Sequence, residues 1–295
     1  MTEAIRSRKL TKYYGKHRGI VELDLEVHEG EIFGFIGPNG AGKTTTIRTL
    51  LSLIFPTSGS AEIFGMDAVR EGPRARRNVG YVPSEVRYYP GMTVREMLRY
   101  AAALHGVRDL GRAWSLADRL DLDVSRKAED LSTGNARKAA IVQAFLHAPR
   151  LLVLDEPTSG LDPLVQQRFA EILAEENARG ATVFLSSHVL SEVQRLCRRV
   201  AIVKEGRLVA CEDIATLRQK HLRKVAVVTP RSLGPADFPS GAASGFGREG
   251  DTTRFLYAGD GNALVRELAR LDMQDLLVEE PSLEEIFLHY YRTEA

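Results

Sequence analysis

The chain has little cysteine: two residues in 295, Cys197 and Cys211. That excludes a secreted disulfide scaffold, and no zinc cluster can be built from cysteine alone. It has no excess charge of either sign. Forty Lys+Arg face thirty-nine Asp+Glu, a formal net charge of +1. Chains that coat nucleic acid accumulate positive charge to release counterions, so the balance argues against that role and leaves room only for a local basic patch. No run of about 18 apolar residues occurs, so the chain is not expected to span a membrane. The richest uncharged stretch, Thr49 to Ala61, is broken by Pro56, Ser58 and Gly59. The first residues carry charge with no apolar core behind them, which does not read as a signal peptide. The expectation is a soluble cytoplasmic protein. At about 150 residues per domain the length predicts one large domain with a small appendage. Hydrophobic residues at 44% supply an ordinary core.

What is present alternates. Glu31 to Ile36 reads as a buried strand, and Thr44 to Phe55 as a helix stopped before Pro56. Leu151 to Leu154 is a second buried strand, Pro163 to Arg179 a helix closed by Gly180, Ala181 to Leu185 a third strand, and Val189 to Leu196 a helix. Val200 to Lys204 and Arg207 to Ala210 flank Glu205-Gly206, a hairpin signal. Buried strands alternating with helices predict an α/β fold with a mostly parallel sheet covered on both faces. From about Arg87 to Asp130 the pattern turns helical, opening on a capping box from Thr93 to Glu96 and including a helix over Gly111 to Leu120. After about His221 the composition shifts. Residues 230 to 250 are rich in Gly, Pro and Ser and read as a loop between strands at Val225 to Thr229 and Thr253 to Tyr257. A helix over Gly261 to Leu271, a strand near Leu276 to Glu279 and a helix over Ser282 to Tyr290 complete a small α+β appendage.

Gly37-Pro38-Asn39-Gly40-Ala41-Gly42-Lys43-Thr44-Thr45 carries the chemistry. It fits the pattern Gly-x-x-x-x-Gly-Lys-Ser/Thr between a strand and a helix. Backbone N–H groups must turn inward around phosphate oxygens, and glycine permits the angles required. The helix that follows points its N-terminus at the anion. The pattern assigns Lys43 to the β- and γ-phosphates and the Thr44 hydroxyl to Mg²⁺. Further on, Leu151 to Leu154 delivers Asp155 and Glu156 to the carboxyl end of a strand, where ligands bind in open α/β sheets. Asp155 is expected to hold Mg²⁺ through water, and Glu156 to polarise the attacking water.

Between the two halves lies Leu131-Ser132-Thr133-Gly134-Asn135, 23 residues from Ser132 to Asp155. With it the sequence resembles the ATP-binding subunits of ABC transporters, whose signature is Leu-Ser-Gly-Gly-Gln. The resemblance extends over about 220 residues. It implies that Tyr14, in Lys12-Tyr13-Tyr14-Gly15, stacks on adenine. It implies that Ser159-Gly160-Leu161-Asp162 crosses a dimer interface and that His188 contacts the γ-phosphate. It also implies a P-loop NTPase core with antiparallel β elements over residues 1 to 220. A helical subdomain of about 87 to 148 would lie inside that core, and a small α+β domain would cover 221 to 295.

The functional implications are equally specific. Two copies, a homodimer, would clasp two ATP molecules. Ser132 and Gly134 of one copy would face the nucleotide of the other. The helical subdomain would dock on a separate multi-span membrane subunit, which places the chain on the inner face of the cell membrane. The segment from Glu279 to Leu288 resembles the closing extension of export systems for drugs, antibiotics or polymers.

Three positions depart from the family pattern. Thr133 replaces Gly and Asn135 replaces Gln in the signature. Ser84, after Gly80-Tyr81-Val82-Pro83, stands where the family usually has a Gln that touches Mg²⁺ or water. Serine is too short to replace that amide, which leaves a water or the neighbouring Glu85. Lys43 and Asp155 are 112 residues apart without heptads between them, which argues against the coiled-coil DNA-repair ATPases of the same superfamily and against any nucleic-acid partner. A regulator with an impaired ATPase remains the alternative that Ser84 suggests.

Overall fold

The computed structural model describes residues 2–88, 90–219 and 222–279. The helix expected over Ser282 to Tyr290, and most of the export-type extension, lie outside the described residues. The chain divides into two compact units, Met1–Cys211 and Glu212–Ala295.

Along the first unit, β1 (Glu3–Tyr14) and β2 (His17–His28) form a long hairpin, and β3 (Ile32–Ile36) leads into α1 (Lys43–Leu50). β4 (Ser58–Ile63), β5 (Met66–Asp67), α2 (Gly72–Arg76) and β6 (Val79–Val82) follow. Three helices come next: α3 (Val94–Leu104), α4 (Gly111–Arg119) and α5 (Thr133–Phe145). The chain then alternates through β7 (Leu151–Asp155), α6 (Pro163–Ala178), β8 (Thr182–Ser187), α7 (Leu190–Leu196), β9 (Arg199–Lys204) and β10 (Arg207–Asp213).

Two sheets result. One is antiparallel, in the order β2-β1-β4-β5, and buries Ile5, Leu10, Leu23 and Val27 on one face. The other runs β10-β9-β3-β8-β7-β6, with β9, β3, β8, β7 and β6 parallel to one another. Its central strands are buried along their length, as expected for a sheet covered on both faces. Because these strands are parallel, their carboxyl ends share one edge. The register places Ile36 beside Ser187 and Asp155 beside Ser186. One edge therefore collects the loop after β3, the carboxylates after β7 and the residues after β8.

The capping box that opens α3 is present. The Thr93 N–H donates to Glu96 Oε2 at 2.8 Å and the Glu96 N–H donates to Thr93 Oγ1 at 3.3 Å. The helix expected to reach Phe55 stops at Leu50 instead. Ser52 takes left-handed backbone angles (φ 51°), and the Leu53 N–H turns back to the Arg48 carbonyl at 2.8 Å, closing the helix well before Pro56.

At the foot of α3 and α5 the rings of His105 and His147 stack, with centroids 3.8 Å apart. Burial, with His105 second, holds the His147 imidazole down to about 4. The unfolded chain gains this proton near pH 6.5 and the folded chain only near pH 4, so the stability present above pH 6.5 is lost as pH falls through that window. Between pH 7 and 5 the melting temperature of the wild type should fall more steeply than that of His147→Phe. After discounting for partial exposure the difference is about 1 kcal/mol. Parallel pH profiles would refute the assignment.

The second unit holds α8 (Ile214–Gln219), β11 (Leu222–Val228), β12 (Ala243–Glu249), β13 (Thr252–Ala258), α9 (Gly261–Leu268) and β14 (Asp275–Glu279). The strands form an antiparallel sheet in the order β12-β13-β11-β14. Val225, Val227, Phe238, Phe255, Tyr257 and Leu264 form its core. The Gly/Pro/Ser-rich stretch read as a loop contains β12. That strand pairs with β13 across a register shift between Ser244 and Gly247, where the glycines dilute the alternation.

Candidate functional site

The loop after β3 is shaped by what its glycines exclude. Gly42 lies at φ 103°, and a Cβ there would come within 2.7 Å of the Gly19 carbonyl oxygen. The β9–β10 turn closes over it: the Gly206 N–H donates to the Ala41 carbonyl at 2.9 Å, and the Val21 N–H donates to the Gly206 carbonyl at 2.8 Å. α1 then starts at Lys43, aiming its unpaired N–H groups toward the loop. Lys43 is 5% exposed. Its Nζ donates to the carbonyls of Gly37 at 2.8 Å and Pro38 at 3.2 Å, and lies 3.3 Å from Glu156 Oε1.

The acidic half meets this loop from β7 and β8. Asp155 is fully buried, and three groups define its position. Thr44 Oγ1 donates to its Oδ2 at 2.8 Å, and Ser186 Oγ donates to its Oδ1 at 2.6 Å. Its backbone pairs with that of Ser186 in the sheet. Glu156 leaves the strand with left-handed backbone angles (φ 51°), a conformation that costs a non-glycine residue about 1–3 kcal/mol. Its N–H donates to the Ser186 carbonyl at 3.1 Å, which helps hold the strained residue. The kink turns the carboxylate along the loop. One oxygen faces Lys43, and the other lies 3.2 Å from His188 Nδ1. Lys43, Glu156 and His188 thus form a row across the head of α1. His188 is 48% exposed, which opens the row to solvent.

A hydroxyl and a carboxylate 2.8 Å apart are hard oxygen donors beside a phosphate-binding loop. That donor set suits Mg²⁺, which takes few protein ligands and shares the rest with substrate phosphates. Thr44 and Asp155 are the residues that would hold it.

A cleft of about 210 Å³ lies over the row, lined by Tyr14, Asn39, Gly40, Gly42, Lys43, Thr44, Thr45 and Glu156 among others. The structure brings these sequence-predicted residues together. Tyr14, 46% exposed, presents its ring at the cleft, with Lys12 Nζ 5.3 Å from the ring centroid. Arg18 also lines the cleft and pairs with Glu205 at 2.9 Å. Ser132 and Gly134 lie outside this lining. Ser132 caps α5 by accepting from the Asn135 N–H at 3.4 Å. A Cβ on Gly134 would come within 2.8 Å of the Gly160 carbonyl oxygen, so the signature segment packs against the loop from Ser159 to Asp162. Asp162 caps α6, and the Val165 N–H that it accepts at 3.0 Å holds its carboxyl below the ordinary range.

Two residues of the site carry no motif. Ser186 reads as filler before His188, yet it clamps Asp155. Arg137 reads as one charge on a helix, yet it is 4% exposed and donates to the carbonyls of Pro83 and Ser84. Glu85, one of the two substitutes considered for the missing amide, pairs with Arg87 at 3.3 Å on the surface.

Comparison with known proteins agrees with this geometry. A family model described as ABC transporter matches residues 20–159. Bacitracin transport ATP-binding protein BcrA of Bacillus licheniformis is 39% identical over 229 residues, which cover 76% of this chain and 72% of that protein. Nod factor export ATP-binding protein I of Cupriavidus metallidurans is 37% identical over 215 residues, covering 71% of each. Among solved structures, an ATP-binding subunit of an ABC transporter superposes with a TM-score of 0.69 at 32% identity, covering 73% of this chain and 92% of that one. A dimeric bacterial ABC transporter cassette shares the fold, with a TM-score of 0.66 at 24% identity. On these likenesses the chain belongs to the ABC transporter family, among its ATP-binding, ATP-hydrolysing subunits.

Proposed function

We propose that the chain powers export through a separate membrane subunit, working as a homodimer that clasps two ATP molecules. The observation that carries the catalytic part is the row Lys43–Glu156–His188, with both Glu156 oxygens engaged at 3.3 and 3.2 Å. Lys43 binds the β- and γ-phosphate oxygens, together with loop N–H groups between Asn39 and Thr45. Glu156 orients the attacking water and takes its proton as the oxygen approaches the γ-phosphorus. His188 holds the γ-phosphate in line. When bound by Thr44 and Asp155, Mg²⁺ supplies neutralisation of the phosphate charge. Ser132 and Gly134 lie outside their own chain's cleft, which supports their facing the nucleotide of the second copy.

The membrane subunit has a candidate seat. A groove of about 790 Å³ runs beside α3, lined by Pro83, Glu85, Met92, Met97, Tyr100 and Leu104 among others. Tyr100 and Leu104 are exposed apolar side chains there. Among the described residues no helix is long and apolar enough to cross a membrane, so the pore belongs to another polypeptide in this reading. The chain then sits on the cytoplasmic face. Relatives named for bacitracin transport and Nod factor export support an antibiotic or other lipophilic or polymeric cargo.

The test is purification of the tagged chain from native membranes. A co-purifying multi-span protein whose vesicles move such compounds only with ATP is the expected result. Recovery of the chain alone, with an ATPase indifferent to membranes, would sink the transport reading. On the nucleotide side, Tyr14→Ala should raise the KM for ATP about tenfold, because stacking a base on an aromatic ring is worth about 1–3 kcal/mol. Tyr14→Phe should stay within twofold. An unchanged KM in the alanine variant would remove Tyr14 from the site.

A further inference from the structure

Arg137 lies in the second turn of α5, almost fully buried. A buried guanidinium is costly unless its donors are used. Nη1 donates to the Pro83 carbonyl and Nη2 to the Ser84 carbonyl, whereas Nε has no hydrogen-bond partner. Its hydrogen bonds therefore go to the backbone of another segment and not to an acid. Charge compensation comes from a distance: Asp155 and Glu156 both act on it, opposing the burial that pulls its pKa down. One residue earlier, the Ala136 carbonyl accepts a hydrogen bond from Tyr88 Oη at 3.2 Å. Segment 83–88 is thus tied at both ends to a single turn of α5. Between the ties, Glu85, Val86 and Arg87 line the groove beside α3. At the head of the same helix stand Ser132 and Gly134.

We propose that Arg137 is a positioning residue that locks the groove wall 83–88 to the first turns of α5, so that a displacement of either segment carries the other. The inference rests on the proposed docking and nucleotide roles for its meaning, but the lock itself lies within one chain. A planar fork suits two successive carbonyls, and an ammonium point charge does not, so lysine is not an equivalent here. The nearby carboxylates give the lock its sensitivity to nucleotide: phosphate charge arriving at Lys43 and Glu156 changes the field in which the guanidinium sits.

Hydrogen–deuterium exchange on the full chain, with and without Mg²⁺ and a non-hydrolysable ATP analogue, tests this. In the unmutated chain the analogue should slow exchange at 37–45 and shift it at 84–88 and 133–137 together. In Arg137→Met the protection at 37–45 should persist while the response at 84–88 falls at least threefold, and Arg137→Lys should recover less than half of it. Without nucleotide, Arg137→Met should raise exchange at 84–88 and 133–137 together. Tyr88→Phe, which removes only the second tie, should halve the response and serves if Arg137→Met does not fold. A wild-type response at 84–88 in the variants overturns the lock, as does a nucleotide-free rise in one segment alone. Absence of protection at 37–45 in the unmutated chain would count against the nucleotide reading, and the lock is then judged on the nucleotide-free exchange.

Discussion

Glu156→Gln is expected to lower steady-state ATP turnover about a thousandfold and leave ATP affinity within about twofold, since general-base catalysis contributes roughly 10²–10⁴. The geometry explains the separation of the two effects. The amide keeps the length and shape of the side chain, so an oxygen can still accept from Lys43, and the strained backbone at φ 51° is untouched. What disappears is the basic oxygen that, in the proposed mechanism, takes the proton of water. With hydrolysis blocked and binding intact, size-exclusion chromatography with ATP should show an accumulated dimer that ADP does not produce. Undiminished turnover would strip Glu156 of the role of base. Low turnover without an ATP-dependent dimer would count against the two-copy arrangement.

Lys43→Ala is expected to weaken ATP binding about 100-fold, close to 2.7 kcal/mol. Hydrogen bonds to charged groups contribute about 1.5–3 kcal/mol each, and in the proposed reading one ammonium serves two phosphates. The loss has a second source in the protein. Removing Nζ leaves the Gly37 and Pro38 carbonyls and Glu156 Oε1 without the donor they share. Lys43→Arg should not rescue binding, because the planar fork does not fit a pocket bounded by two loop carbonyls within 3.2 Å of the native nitrogen. Calorimetric titration with ATP measures the effect. An affinity within threefold of wild type would mean that the loop backbone alone grips the phosphates.

The catalytic edge was largely legible because its elements announce themselves locally. The apolar runs at Ile32–Ile36 and Leu151–Leu154 are short, and each leads straight into a motif, the Gly-rich loop in one case and Asp155-Glu156 in the other. The α3 capping box is likewise a local signal. What escaped depends on partners distant in the chain. β1 loses its alternation where Lys9 takes left-handed angles, so a period of two does not accumulate there. In β2, by contrast, Val21, Leu23, Leu25 and Val27 alternate with exposed Glu22, Asp24 and Glu26, a period of two that is legible locally. β12 hides among glycines and is specified by β13 rather than by its own residues. Arg137 has the composition of a solvated helix face. Only the path of residues 83–84, set by β6, turns it into a buried clamp. Ser186 likewise acquires its role from the sheet register that sets it beside Asp155.

The turn at Glu205-Gly206 has a bearing on how the protein is made. Gly206 braces Ala41 and Val21, so the phosphate loop is finished by a residue translated long after the loop itself. On the ribosome the Gly-rich stretch emerges early and stays without its back wall until β9 and β10 have followed. Domains fold as units during synthesis. Possession of the motif and possession of the grip are therefore separate events in the life of each molecule. A half-made chain carries the motif in full but lacks the Gly206 wall that braces it.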